Sequence, residues 1–157
     1  MDISDRLSEQ ELDAFASILL DGGRDGHYSK EFCNISFCRN YLGRVHNNLI
    51  VLNYDERQGL LMVFRVNGNA VCFSLMCSSP FPQFDAEILL FSVAKDQRRK
   101  GHGKMAIKLL LGEAQGKRVI ARCMPKSTHM VQLLRNCGFV QIDMGKSKNI
   151  NLAYLNG

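Results

Sequence analysis

The segment Val93-Ala94-Lys95-Asp96-Gln97-Arg98-Arg99-Lys100-Gly101-His102-Gly103-Lys104 holds the residue types best suited to gripping an anion. Gly101 and Gly103 let the backbone approach a ligand closely. A helix starting at this point turns unpaired N–H groups and the positive end of its dipole toward whatever sits there. Arg98, Arg99, Lys100 and Lys104 add side-chain charge around the turn, and His102 lies within it. That combination suits a pyrophosphate; a tight turn edged with solvated basic residues is the alternative reading. The segment lacks the Gly-Lys-Ser/Thr ending of a P-loop and the third glycine of a dinucleotide-binding fingerprint.

Charge along the chain agrees with an anion in the second half. The 157 residues carry a net charge of +5, unevenly: residues 1–94 have 7 basic against 12 acidic side chains, and residues 95–157 have 13 against 3. A phosphorylated cofactor and a nucleic acid both fit such a balance. Nucleic-acid binding through residues 95–148 is the less favoured of the two, because a phosphorylated cofactor already explains those basic residues.

The six cysteines offer little further chemistry. Cys33 and Cys38, like Cys72 and Cys77, are too widely spaced for a common zinc knuckle, and no His pair follows at ligand spacing, so no metal site is expected. Reduced, buried thiols are the reading. The polar, acidic start has no signal-peptide character, and no apolar run approaches the roughly 18 residues of a membrane span, so a cytoplasmic protein is expected.

The elements that must position the turn can be read from apolar spacing. Ser8-Glu9-Gln10-Glu11 has the form of a capping box and leads into Leu12, Phe15, Ile18 and Leu19, predicting a helix over residues 8–20 ended by Gly22-Gly23. A weaker helix is expected over 29–42. Strands follow at 49–52, 60–66 and 70–77, the last two joined by Asn67-Gly68, the dipeptide that suits a type I′ turn. Residues 78–85 form a loop with Pro80 and Pro82. The run 87–94 is apolar on both faces, as in a central strand. Then come a helix over 101–111, a strand over 119–123, a helix capped by Ser127 and stopped by Gly138, and strands at 139–142 and 150–155. One α+β domain over 1–157 is expected, with helices flanking a mixed, mostly antiparallel sheet.

Arg98-x-x-Gly101-x-Gly103, after a strand ending at Val93, resembles the acetyl-CoA motif of the GNAT N-acetyltransferase superfamily. Pro125-x-Ser127, the helix through Leu133 and Leu134, and Cys137-Gly138-Phe139 resemble that superfamily's second cofactor segment. The resemblance covers residues 60–142 and implies acetyl-CoA as cosubstrate. It further implies that strand 87–94 splays from strand 119–123 at a bulge, offering the backbone around Phe91, Ser92 and Val93 to pantetheine. Arg98, Arg99, Lys100, Gly101, His102, Gly103 and Lys104 would hold the pyrophosphate. Ser127 stands where many relatives have an Asn touching the cofactor arm.

Residues 84–88, with Glu87 six residues before Val93, resemble the protein-lysine acetyltransferase branch, whose general base is a glutamate at that place. The chemistry has its own logic: an alkylammonium must lose a proton before it can attack a thioester, and a nearby carboxylate can take it. A solvated strand-end glutamate is the plainer reading. Many relatives place in the second helix a Tyr that protonates the departing thiolate; Leu134 stands there in this chain, which leaves Tyr154 as a substitute unless an unaided thiolate departs. No cysteine has a basic partner at a spacing that supports an acyl-enzyme. The expected function is acetyl transfer from acetyl-CoA to a primary amine, such as a protein lysine, by direct attack in a ternary complex. A small amine or polyamine acceptor, or a non-catalytic acyl-CoA-binding or protein-interaction module of the same fold, are the alternatives.

Overall fold

A computed structural model describes residues 1–46, 50–52, 55–57, 59–145 and 148–155, with side chains omitted at 46, 50–52 and 55–57. The described elements run β1 (Asp2–Ser4), α1 (Glu9–Arg24), α2 (Ile35–His46), β2 (Ile50–Leu52), β3 (Asp55–Arg57), β4 (Gly59–Val66), β5 (Asn69–Ser78), β6 (Ala86–Val93), α3 (His102–Glu113), β7 (Val119–Cys123), α4 (Thr128–Arg135), β8 (Val140–Ile142) and β9 (Ile150–Tyr154). Seven strands form one sheet in the order β1-β4-β5-β6-β7-β9-β8, and β2 pairs with β3 apart from it. Every pairing in the large sheet is antiparallel except β6 with β7. Residue 49 of the expected strand at 49–52, and residues 146 and 147 between the two expected closing strands, lie outside the described residues.

Alternation along the strands feeds two cores. On β4, Met62 and Phe64 join Ala106, Ile107 and Leu110 of α3 and Val131 and Leu134 of α4 on one face. Leu61 and Val63 join Phe15 and Leu19 of α1 and Leu42 and Val45 of α2 on the other. Asn67 (φ 51°) and Gly68 (φ 79°) both take the left-handed conformation that a type I′ hairpin requires. This is the mixed, mostly antiparallel sheet flanked by helices that the sequence leads one to expect.

Three local expectations differ. The capping box is present, with Ser8 N–H donating to Glu11 Oε2 at 2.8 Å and Glu11 N–H to Ser8 Oγ at 3.3 Å, yet α1 runs through Gly22-Gly23 to Arg24. Those glycines serve packing: a Cβ on Gly22 would lie 2.5 Å from the Tyr28 ring, and one on Gly23 would lie 2.6 Å from the Phe32 backbone. The second helix is split into a 3₁₀ turn, Lys30–Cys33, and α2, with Asn34 extended between them and its Oδ1 accepting from Phe37 N–H at 3.1 Å. β1, which the polar start did not suggest, is held by pairing with the edge of β4.

Candidate active site

β6 is bound to both neighbours for only part of its length. Its parallel pairing with β7 stops after Ala86–Val119, Glu87–Ile120 and Ile88–Ala121. On the β5 side the register shifts between Leu75 and Met76, so that Leu90 faces Leu75, Ile88 faces Met76 and Leu89 has no partner. That extra residue is a bulge, which bends and twists a strand. Beyond it β6 leaves β7, and the backbone from Leu89 to Val93 borders an open wedge.

A cavity of about 490 Å³ fills the wedge, lined by Phe91, Ser92 and Val93 on β6, Arg122 and Cys123 on β7, and Ser127 before α4. Arg98 and Arg99 line it from the turn leading to α3, and His27 and Tyr28 from the segment between α1 and α2. The carbonyl oxygens of Phe91 and Val93 face side chains: Phe91 O accepts from Tyr28 Oη at 3.0 Å, and Val93 O from Arg98 Nε at 3.1 Å. Tyr28 Oη also lies 2.5 Å from Ser92 Oγ. Burial pushes the Tyr28 phenol up to about 12 and the Cys123 thiol up to about 11, so both hold their protons at neutral pH.

The basic turn takes the form that an anion needs. Arg99 (φ 61°) and Gly101 (φ 83°) are left-handed, and Gly101 caps α3. Arg98, Arg99, Lys100 and Lys104 are exposed. A Cβ on Gly101 would meet nothing within 4 Å, so its backbone borders free space and its glycine is required by φ. Gly103 has another reason: a Cβ there would press Leu133 at 3.2 Å and Val93 at 3.4 Å. It is the seat of α3 against β6 and α4. His102, Gly103, Lys104, Lys100 and Gly101 do not line the cavity itself.

Glu87 lies behind the cavity wall, 1% exposed, with Oε1 accepting from Arg122 Nε at 2.6 Å. The Arg122 guanidinium sits 5.2 Å from the centre of the Phe81 ring and faces the cavity itself. Ser127 occupies the N-cap of α4 without capping it; its hydroxyl meets His27 Nδ1 at 3.1 Å. Tyr154 pairs with Val119 at the closed end of β7 and packs on Phe139, and it does not line the cavity. Leu134 is fully buried. Sequence reasoning missed Tyr28, His27 and Arg122. Only Gly22-Gly23 hinted at the first two, and the parallel register that sets Arg122 beside Glu87 has no local signal.

Residues 30–139 match the model of the acetyltransferase (GNAT) family. The chain belongs to the GNAT acetyltransferase family. Solved GNAT structures repeat its fold at low identity. A ribosomal-protein-alanine N-acetyltransferase from Brucella melitensis superposes with TM-score 0.69 at 17% identity, covering 99% of this chain and 100% of that one. A spermidine N-acetyltransferase from Vibrio cholerae, in complex with CoA and spermine, gives TM-score 0.63 at 12% identity over 97% and 92% of the two chains. A GNAT family acetyltransferase from Elizabethkingia anophelis with acetyl-CoA bound gives 0.51 at 18% identity over 60% and 74%. No curated protein matches the sequence. Among the described residues, no helix of this GNAT protein is long and apolar enough to cross a membrane.

Proposed function

We propose that this protein, acting as one cytoplasmic domain over residues 1–157, transfers the acetyl group of acetyl-CoA to a primary amine by direct attack in a ternary complex. The observation that carries the reading is the inner edge of β6 beyond Ile88, which pairs with no described strand and runs into a left-handed basic turn. An extended chain of amides matches the edge, and a diphosphate matches the turn. Phe91 and Val93 would hold the pantetheine arm through their backbone, with Ser92 and Ser127 beside it. Arg98, Arg99, Lys100 and the α3 start from Gly101 through His102 and Gly103 to Lys104 would hold the pyrophosphate. Acetyl-CoA supplies an activated acyl group as a thioester.

Glu87 is the proposed proton acceptor for the amine. Its carboxylate stands on the β7 side of β6, and Arg122 separates it from the cavity, so the proton reaches it by a water or on movement of the guanidinium. A protein lysine is the proposed acceptor, with a polyamine next; the acidic balance of residues 1–94 suits either cation. The test is release of free CoA thiol with lysine peptides, polyamines and small amines as acceptors. Amine-dependent thiol release is the expected result. Acetyl-CoA binding with no turnover on any acceptor would overturn the reading in favour of a binding module.

A further inference from the structure

Tyr28 belongs to the cavity by construction. Its hydroxyl touches β6 where the strand has left β7, on Phe91 O at 3.0 Å and Ser92 Oγ at 2.5 Å. Its ring packs against Phe32 at a 51° tilt, with ring centres 5.5 Å apart, and lies over Gly22 so closely that a Cβ there would fall 2.5 Å from Cε2. The segment carrying it is pinned by His27 N–H on Gly22 O at 2.8 Å. A helix-interior glycine costs roughly 1 kcal/mol relative to alanine, so α1 gives up stability at the place that seats this ring. A hydroxyl held so firmly against strand backbone that has left its neighbour is preorganised for charge that develops nearby.

We propose that Tyr28 is a catalytic residue whose hydroxyl hydrogen-bonds the sulfur that leaves during acetyl transfer. This rests on the reading of the cavity as an acetyl-CoA site. As the amine nitrogen bonds to the acyl carbon, the carbon–sulfur bond breaks and its electron pair passes to sulfur. The amine's proton goes to Glu87 or water. Rotation about the Cζ–Oη bond swings the phenol proton from Phe91 O toward the sulfur, while Ser92 Oγ keeps the oxygen in place. With the phenol near 12 and an alkyl thiol near ~8.5, the proton stays on oxygen. The sulfur departs as a hydrogen-bonded thiolate and takes its proton later from water. Neither Leu134 nor Tyr154 lines the cavity to offer such a donor.

The substitution Tyr28→Phe keeps the ring on Gly22 and Phe32 and removes only the donor. Its kcat should fall on the order of 10²-fold while its affinity for acetyl-CoA stays within about twofold of wild type. A binding measurement gives a readout free of turnover. Calorimetric affinities of CoA and of S-methyl-CoA, which cannot ionise, are compared from about pH 6.5 to 9.5. In wild type, CoA should gain several-fold over S-methyl-CoA across that range, because a donor to the thiolate lowers the bound thiol's pKa; in Tyr28→Phe the gain should vanish. A constant ratio in wild type overturns the proposal, whether or not the variant folds. So does unchanged kcat in folded Tyr28→Phe, or CoA affinity that rises sharply in the variant, which would make Tyr28 a plug. If wild type binds neither CoA nor acetyl-CoA, the acetyl-CoA reading fails first and takes the Tyr28 assignment with it.

Discussion

Glu87 pairs with Ile120, and Arg122, one residue past the end of the β6–β7 pairing, reaches back to it diagonally, so each limits what the other can do. The glutamate is sealed and ion-paired with a cation that itself looks into the cavity. In Glu87→Gln the amide oxygen can still accept from Arg122 Nε, so the fold should survive and acetyl-CoA should still bind. Turnover should fall on the order of 10² to 10⁴-fold, and the loss should shrink from about pH 6 to 9.5 as more of the amine is already neutral. Rate profiles of the two proteins decide it; a ratio near one at every pH moves the base elsewhere. Glu11 makes a second residue-scale expectation. Its carboxylate accepts from Arg65 and closes the capping box of α1, which brings it from 4.5 down to about 2. A carboxyl held below its unfolded value stabilises the fold fully above that value, and the contribution drains away as pH falls toward the folded one. Thermal unfolding of wild type should therefore lose stability between about pH 4.5 and 2 more steeply than Glu11→Gln, and parallel curves would remove Glu11 from the acid response.

The elements show what local sequence can and cannot carry. Strands β4 to β7 and the start of α1 were legible to within a residue or two, because alternation, the Asn-Gly turn and the capping box are all written within a few positions. The extension of α1 was not, since Gly22 and Gly23 look like a stop until Tyr28 and Phe32 are seen packed on them. The wedge itself was legible only through family resemblance; a bulge at Leu89 depends on how β5 and β6 slide past each other, which no short window records. Within the basic turn, the two glycines that look alike in sequence differ in role. Gly101→Val should bring strain of about 1–2 kcal/mol from the left-handed backbone and a side chain in the open space at the head of α3, so acetyl-CoA affinity should drop at least tenfold with a modest fall in melting temperature. Calorimetric titration checks this, and a folded Gly101→Val protein with wild-type affinity would remove the pyrophosphate from that turn. Gly103 is the position where stability should suffer first, through Leu133 and Val93.

At the scale of the molecule, the charge asymmetry read from composition becomes a spatial one. The basic second half supplies α3 and its turn, and the first half supplies α1, with Glu9, Glu11, Asp13 and Asp21, and the His27–Tyr28 side of the cavity. Acetyl-CoA affinity should weaken several-fold as salt rises from about 0.1 to about 1 M, over which the Debye length shrinks from about 10 to about 3 Å; a flat response would mean that exposed Arg98, Arg99 and Lys100 do not meet the phosphates.

The brevity of the β6–β7 pairing reaches beyond the cavity it opens. Among the described residues, three ladder pairs, preceded by Asp85 and Ala86 N–H donating to Arg118 O, stitch β1-β4-β5-β6 to β7-β9-β8 within the sheet. The ion pairs Asp21–Lys95, Asp85–Arg118 and Glu87–Arg122 each join an acid from residues 1–94 to a base from residues 95–157. Two of the three are largely solvent-facing and hold little, so the joint rests on the apolar core in which Met62, Phe64 and Ile88 pack with Ile107, Leu110 and Leu134. The chain is thus built as two complementary pieces meeting along a seam, much as two subunits meet, with the cut falling just after β6. Chains severed between Val93 and Lys95 and expressed together would find each other by that charge and that core, and the reacting groups would be assembled only when the pieces close.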